Sequence, residues 1–108
     1  MSNIINELYG VINDRKVNKV ADSYTSYLFT KGKDKILKKM GEEAIEVIIA
    51  AKSDDKNEQV EEFSDLIYHM LVLMNELDIS VDDISQSLEK RRSKIGNLKK
   101  ERADIEIL

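Results

Sequence analysis

The sequence predicts an all-α protein, and three observations carry that prediction. The 108 residues include no proline and only four glycines, so long uninterrupted helices form easily. Apolar residues recur at three- and four-residue spacing through several long stretches. No segment alternates apolar and polar residues with the period of two that is typical of strands. We therefore expect a single domain over residues 1–108, built as a small bundle of about four to five helices.

The first half of the chain predicts three of these helices. The first covers about Asn3 to Asn13, where isoleucine and leucine form one apolar stripe. A polar connection follows, and "SYTSYLFTKG" is then typical of a short helix or turn that ends at Gly32. The third helix runs from about Lys33 to Lys52, with an apolar stripe that includes Ile36 and Ile48.

The second half predicts two more helices after the polar turn "SDDKN". The fourth runs from about Asn57 to Leu77, and its run "LIYHMLVLM" is apolar on nearly all sides. Such a helix needs cover from more than one direction, so we expect a homodimer that completes a larger bundle. The fifth begins near Ser80, where Ser80 and Asp83 resemble a capping box, and reaches about Ser93. The tail "IGNLKKERADIEIL" receives no assignment.

Composition and charge restrict the function. A net charge of −4 argues against nucleic acid as a partner. The absence of cysteine excludes disulfides, thiol catalysis and thiolate metal sites, and is compatible with a cytoplasmic location. No stretch approaches the roughly 20 apolar residues of a membrane span, so we expect no membrane partner either.

Carboxylates cluster on the third and fourth helices at one-turn spacing. Glu43 and Glu46 share one face of the third helix, and Glu62 and Asp65 share one face of the fourth. The short connection between the helices predicts an antiparallel hairpin centred near Asp54. Glu46 and Glu62 each lie eight residues from this centre, and Glu43 and Asp65 each lie eleven. The four acids are therefore expected to pair level by level across the hairpin.

Four converging carboxylates need a counter-charge. Two unit charges about 4–5 Å apart repel by roughly 3–4 kcal/mol at an effective dielectric constant near 20. An oxygen-rich donor set without cysteine suits a hard cation, Mg²⁺ or alternatively Mn²⁺, and such ions commonly assist phosphate chemistry. The alternative is a solvated acidic helix face that pairs with lysines, and pattern alone leaves both interpretations open.

Three basic or titratable residues near the acids are candidates for binding substrate phosphates. His69 follows Asp65 by four residues and is a candidate substrate contact or, alternatively, a buried histidine hydrogen-bonded to a neighbour. Lys39 precedes Glu43 by four residues, as a phosphate ligand would, or else pairs with Glu43 as a surface lysine. Lys52 is a further candidate for phosphate contact, with the same surface alternative.

The acid motifs E-E-x-x-E and E-x-x-D resemble those of the MazG-like all-α nucleotide pyrophosphohydrolases. The stretch "SYTSYLFTKGKDKILKKMGEEAIEVIIAAK", with "DLIYHMLVLM" after it, is similar to one family among them, the phosphoribosyl-ATP pyrophosphohydrolases. This resemblance implies a MazG-like helical bundle and Mg²⁺-dependent hydrolysis of the α–β phosphoanhydride of phosphoribosyl-ATP. The products would be phosphoribosyl-AMP and pyrophosphate, in the second step of histidine biosynthesis. It implies four metal ligands: Glu43, Glu46, Glu62 and Asp65.

The resemblance covers about Ser23 to Leu77 and leaves two alternative functions open. Glu42, beside the implied ligands, is the candidate catalytic residue that orients or deprotonates water. The tail departs from the Ser-Gly and Glu-Lys pattern of many relatives, which puts any substrate contact there in doubt. A housecleaning pyrophosphohydrolase of free (deoxy)nucleoside triphosphates would share the acids and differ in substrate. A helical interaction module with an acidic groove would bind no Mg²⁺ at millimolar concentration and turn over nothing.

Overall fold

The computed structural model describes residues 3–94, and every regular element in that range is a helix. The five helices are α1 (Ile4–Val17), α2 (Tyr24–Lys31), α3 (Lys33–Ala51), α4 (Lys56–Glu76) and α5 (Val81–Arg92). The predicted all-α class is confirmed, and the architecture is consistent with a MazG-like helical bundle. None of the described helices is both long enough and apolar enough to cross a bilayer. The unassigned tail lies outside the described residues.

The helix ends follow the signals that the sequence offers. Ser23 caps α2 by accepting a hydrogen bond from the backbone N–H of Ser26. Gly32 separates α2 from α3 with φ 97°, a left-handed value that a residue without a Cβ adopts at little cost. The predicted capping box is present at the start of α5, where Ser80 and Asp83 each accept a hydrogen bond from the other's backbone N–H.

One boundary differs from the sequence prediction. Helix α1 continues to Val17 instead of ending near Asn13. The residues after Asn13 are polar, and their polarity resembles a loop, but charged residues such as Arg15 and Lys16 are good helix formers on a solvated surface. The backbone N–H of Asn18 then donates to the Asp14 carbonyl and closes the last turn.

The core forms where the first four helices meet. Its buried members are Ile12 of α1, Leu28 of α2, Ile36 of α3, and Leu71 and Val72 of α4. Helices α3 and α4 make the most extensive helix–helix contact of the described chain and form the expected hairpin. The core anchors the amino-terminal end of α3 against the carboxy-terminal end of α4, and the rest of the hairpin extends beyond it.

That extension leaves apolar side chains in solvent. The exposed apolar stripes, as we call them, are Ile45, Ile48 and Ile49 on α3 and Phe63, Ile67 and Met70 on α4. Ile48 was predicted to face the core, yet it is 62% exposed. The reason is geometric, because α1 and α2 cover only part of a hairpin whose two helices have 19 and 21 residues.

Candidate metal centre

The hairpin brings three of the four candidate ligands within coordinating distance of one another. One carboxylate oxygen from each of Glu43, Glu62 and Asp65 lies within 4.8 Å of the other two. Glu43 comes from α3, while Glu62 and Asp65 occupy successive turns of α4. The sequence register about the turn thus places the two acidic faces opposite each other at the same level.

These carboxylates line an open polar cavity of about 430 Å³ between the two helices. Its walls are Lys39, Glu42, Glu43, Glu46, Glu62 and Asp65. All four sequence-predicted ligands, the candidate catalytic Glu42 and the candidate phosphate contact Lys39 therefore border one space.

The electrostatics of the cavity favour a bound cation. Partial burial raises the pKa of Glu62, and the neighbouring carboxylates of Asp65 and Glu46 raise it further. Within the described part of the chain, the ion pair at the cavity wall joins Lys39 to Glu42, and neither Glu62 nor Asp65 has a basic partner. Oxygen-only donors that repel one another fit a hard divalent ion such as Mg²⁺ or Mn²⁺.

Lys39 pairs with Glu42 rather than with Glu43. Its Nζ lies 3.5 Å from a Glu42 carboxylate oxygen, one helical turn away on α3. The hydroxyl of Tyr24 raises the pKa of Lys39, as does Glu42, against the opposing effect of partial burial. Lys39 therefore stays cationic at the edge of the acidic cluster.

His69 lies behind the cluster and does not line the cavity. Only 5% of the residue is exposed. Its Nδ1 lies 2.7 Å from the backbone carbonyl of Asp65, which only accepts hydrogen bonds, so Nδ1 carries the proton. Its Nε2 lies 3.0 Å from the Tyr24 hydroxyl, within hydrogen-bond distance. This geometry corresponds to the buried, hydrogen-bonded alternative for His69.

Lys52 lies away from the acids. It follows the last residue of α3 and is exposed at the turn between α3 and α4. Six residues separate it from Glu46, a rise of about 9 Å along a helix axis. The cavity walls do not include it.

Sequence reasoning missed an aromatic cluster that supports the site. The Tyr24 ring lies 6.3 Å from the Tyr68 ring and packs edge-on against His69 at 5.7 Å. The hydroxyls of Thr25 and Tyr68 hydrogen-bond to each other and join α2 to α4. Burial raises the pKa of both tyrosines. The available signal was the "SYT" stretch at the start of α2, which marked the resemblance without showing what its hydroxyls contact.

The comparisons with known proteins agree with one another. A family model described as "Phosphoribosyl-ATP pyrophosphohydrolase" matches residues 5–92. A "Phosphoribosyl-ATP pyrophosphatase" from Clostridium botulinum is 55% identical over 107 residues, 99% of this chain and 97% of the relative. One of the same name from Clostridium novyi is 56% identical over 103 residues, 95% and 94% of the two chains. The "Histidine biosynthesis bifunctional protein HisIE" of Caldanaerobacter subterraneus is 58% identical over 91 residues, 84% of this chain and 44% of that protein.

Proposed function

The chain belongs to the phosphoribosyl-ATP pyrophosphohydrolase family, and from this membership we propose the detailed reaction. It is a hydrolase of histidine biosynthesis that splits phosphoribosyl-ATP into phosphoribosyl-AMP and pyrophosphate. The observation that carries the proposal is the family match over residues 5–92, which includes every carboxylate of the cavity. We place the enzyme in the cytoplasm as a single domain.

We propose that Mg²⁺ is the resident cation, with Mn²⁺ as a substitute. The four residues that would hold it are Glu43, Glu46, Glu62 and Asp65, all of which border the cavity. When bound, the ion would neutralise charge on the phosphoryl oxygens. The hydrogen bond from His69 to the Asp65 carbonyl supports this role, because it fixes the turn of α4 that carries Asp65.

The remaining cavity residues supply the chemistry at the substrate. Glu42 accepts a proton from the attacking water, whose oxygen forms a bond to the α phosphorus. The bond between that phosphorus and the bridging oxygen breaks, and the β and γ phosphates leave together as pyrophosphate. Lys39 positions the phosphates with its ammonium group, which forms an ion pair with Glu42. Lys52 remains a more distant candidate for phosphate contact, and His69 acts through Tyr24 and Asp65.

We propose a homodimer, supported by the exposed apolar stripes. Six large apolar side chains on one hairpin are more than scattered surface residues, and they recur at helical spacing along both helices. A second copy would cover them with helices of the same pattern, as obligate dimers do.

The test is turnover of phosphoribosyl-ATP by the purified chain with Mg²⁺, with products separated by ion-exchange chromatography. We expect phosphoribosyl-AMP and pyrophosphate, and in ¹⁸O-labelled water the label should enter phosphoribosyl-AMP. Equal or faster hydrolysis of ATP or deoxynucleotides would identify a housecleaning enzyme instead. No turnover of any nucleotide would leave the interaction-module interpretation.

A further inference from the structure

A second cluster of cations lies beside the metal centre, and the reaction chemistry described above does not use it. The ammonium groups of Lys31 and Lys35 lie 5.8 and 6.0 Å from the centroid of the same ring, that of Tyr27. Tyr27 is 42% exposed, Lys31 is exposed and Lys35 is half-buried, so solvent reaches the ring and both lysines. In the range 3–94 neither ammonium has a carboxylate partner. We call these three residues the Tyr27 cluster.

The Tyr27 cluster is continuous with the metal centre. The Tyr27 ring stacks on the ring of Tyr24 at 6.2 Å, with the planes 26° apart. Tyr24 in turn interacts electrostatically with Lys39 and Glu43 at the cavity. Along α3, Lys35, Lys39 and Glu43 succeed one another at four-residue spacing and so share one face of the helix. The eight residues from Lys35 to Glu43 correspond to a rise of about 12 Å.

This arrangement favours the binding of an anion at the Tyr27 cluster, separate from the phosphates proposed to bind at the cavity. Two cations beside one ring without an acidic partner leave positive charge uncompensated, and a doubly charged phosphate bound to them would compensate it. An isolated surface lysine extends into solvent and needs no such ligand. Here two lysines lie beside one ring, and the exposed, stacked rings of Tyr27 and Tyr24 extend from them towards the acids. This arrangement distinguishes the Tyr27 cluster from a solvated helix surface.

We propose that Lys31 and Lys35, converging over Tyr27, bind the phosphate of the phosphoribosyl group that distinguishes phosphoribosyl-ATP from ATP. The inference rests on the proposed function and adds to it the residues that select the substrate. The phosphates of the substrate lie at two ends, separated by two riboses and a purine. One end is held at the acids and Lys39. The other reaches the Tyr27 cluster along the face of α3, with the rings of Tyr24 and Tyr27 beneath the sugar and base.

The experiment compares a double variant, Lys31→Gln with Lys35→Gln, with wild type on two substrates. For phosphoribosyl-ATP we expect KM to rise by about tenfold or more while kcat changes by less than about twofold, since the lost contact lies away from the reacting bond. For ATP neither constant should move. Lys31→Arg with Lys35→Arg should restore most of the affinity. Lys33→Gln, an exposed α3 residue outside the cluster, is the matched control and should behave as wild type.

A binding measurement separates this proposal from the proposed function. Calorimetry with ribose 5-phosphate and with phosphoribosyl-AMP, on protein without added metal, should show binding that the double glutamine variant weakens by about tenfold. If wild type turns over phosphoribosyl-ATP but the variant keeps its KM and its affinity for ribose 5-phosphate, the subsite is refuted and the function stands. An equal loss with ATP also refutes it, because the lysines would then serve the triphosphate. If wild type turns over no phosphoribosyl-ATP yet binds ribose 5-phosphate through these lysines, the function fails and the phosphate subsite stands.

Discussion

The α3–α4 hairpin carries two surfaces that the other described helices leave open, and they differ in what they lack. The cavity surface has three carboxylates that form no ion pair within residues 3–94, namely Glu43, Glu62 and Asp65. The exposed apolar stripes have large apolar side chains without cover, such as Ile48 and Phe63. On the first surface the carboxylates repel one another, and on the second the apolar side chains contact water. A cation would relieve the repulsion, and an apolar protein surface would cover the exposed side chains.

The difference separates what the fold requires from what function requires. The core around Ile12, Leu28 and Val72 forms at one end of the hairpin and needs neither surface. Neutralising a cavity carboxylate should therefore abolish chemistry without loss of folding. Adding a charge to an apolar stripe should instead affect assembly. The predictions below test this separation, beginning with the largest expected effect.

Removing one cavity charge is expected to affect activity most. Glu46→Gln, Glu62→Gln and Asp65→Asn should each lower turnover of phosphoribosyl-ATP by at least about a hundredfold, because each would remove a charged ligand of the proposed cation. Helical content by circular dichroism should be unchanged. Glu61→Gln, an exposed neighbour on α4 outside the cavity, is the control and should retain activity. Near-normal turnover in Glu46→Gln and Glu62→Gln would refute the metal assignment.

Charging an apolar stripe is expected to break assembly. Ile48→Asp should weaken the homodimer by about tenfold to a hundredfold, because the dimer would bury an unpaired carboxylate. Sedimentation velocity at micromolar concentration measures this shift. Val17→Asp, which is equally exposed but lies at the end of α1, should leave the oligomeric state unchanged. A wild-type chain that sediments as a monomer at tens of micromolar would contradict the prediction.

The sequence predicted the acidic surface better than the apolar one. A short turn fixes the register of an antiparallel hairpin, so counting residues from Asp54 was enough to place Glu43 near Asp65. The apolar stripes of α3 and α4 also showed the correct period, but period alone does not say which apolar residues a chain covers itself. Ile36 is buried and Ile48 is exposed on the same helix because α1 and α2 reach only one end of it.

Side-chain contacts between distant helices were not predictable from pattern. Tyr24 and His69 are 45 residues apart, and nothing in their spacing indicates that the phenol and the imidazole form a hydrogen bond. Lys31 and Lys35 belong to different helices, separated by the turn at Gly32, yet both ammonium groups lie near the Tyr27 ring. Such contacts depend on how α2 lies across α3 and α4, which the helical period does not specify.

Removing the Tyr24 hydroxyl tests the link between these regions and is expected to have an intermediate effect. Tyr24→Phe leaves Nε2 of the buried His69 without its hydrogen-bond partner, which should cost about 1 kcal/mol of unfolding free energy. Turnover should fall several-fold, since Lys39 and the turn carrying Asp65 lose a fixed neighbour. Urea unfolding and steady-state kinetics measure the two effects. Unchanged stability together with unchanged kcat would show that the hydrogen bond positions nothing.

The smallest expected effect is on the stability of the metal-free protein, and it depends on pH. Partial burial and the neighbouring carboxylates raise the pKa of Glu62 above its unfolded value, so folding favours the protonated form. Below the unfolded pKa the carboxyl is protonated in both states and contributes no penalty. As pH rises through the folded pKa, Glu62 ionises in the native state and is repelled by its neighbours, whereas the ionised carboxylate of the unfolded chain is solvated. The native state therefore loses stability as pH rises.

Glu62→Gln removes this penalty at every pH. The variant should therefore melt slightly above wild type at pH 7 in the presence of a chelator, and the two melting temperatures should converge as pH falls towards 4. Thermal unfolding followed by circular dichroism at the two pH values measures the difference, with Glu61→Gln as the control for loss of an exposed charge. Saturating Mg²⁺ should reverse the order at pH 7, because only the wild-type cavity retains all of its carboxylates for the cation. A variant that is less stable than wild type without metal would mean that Glu62 is held by a favourable contact, and that the cavity is not short of positive charge.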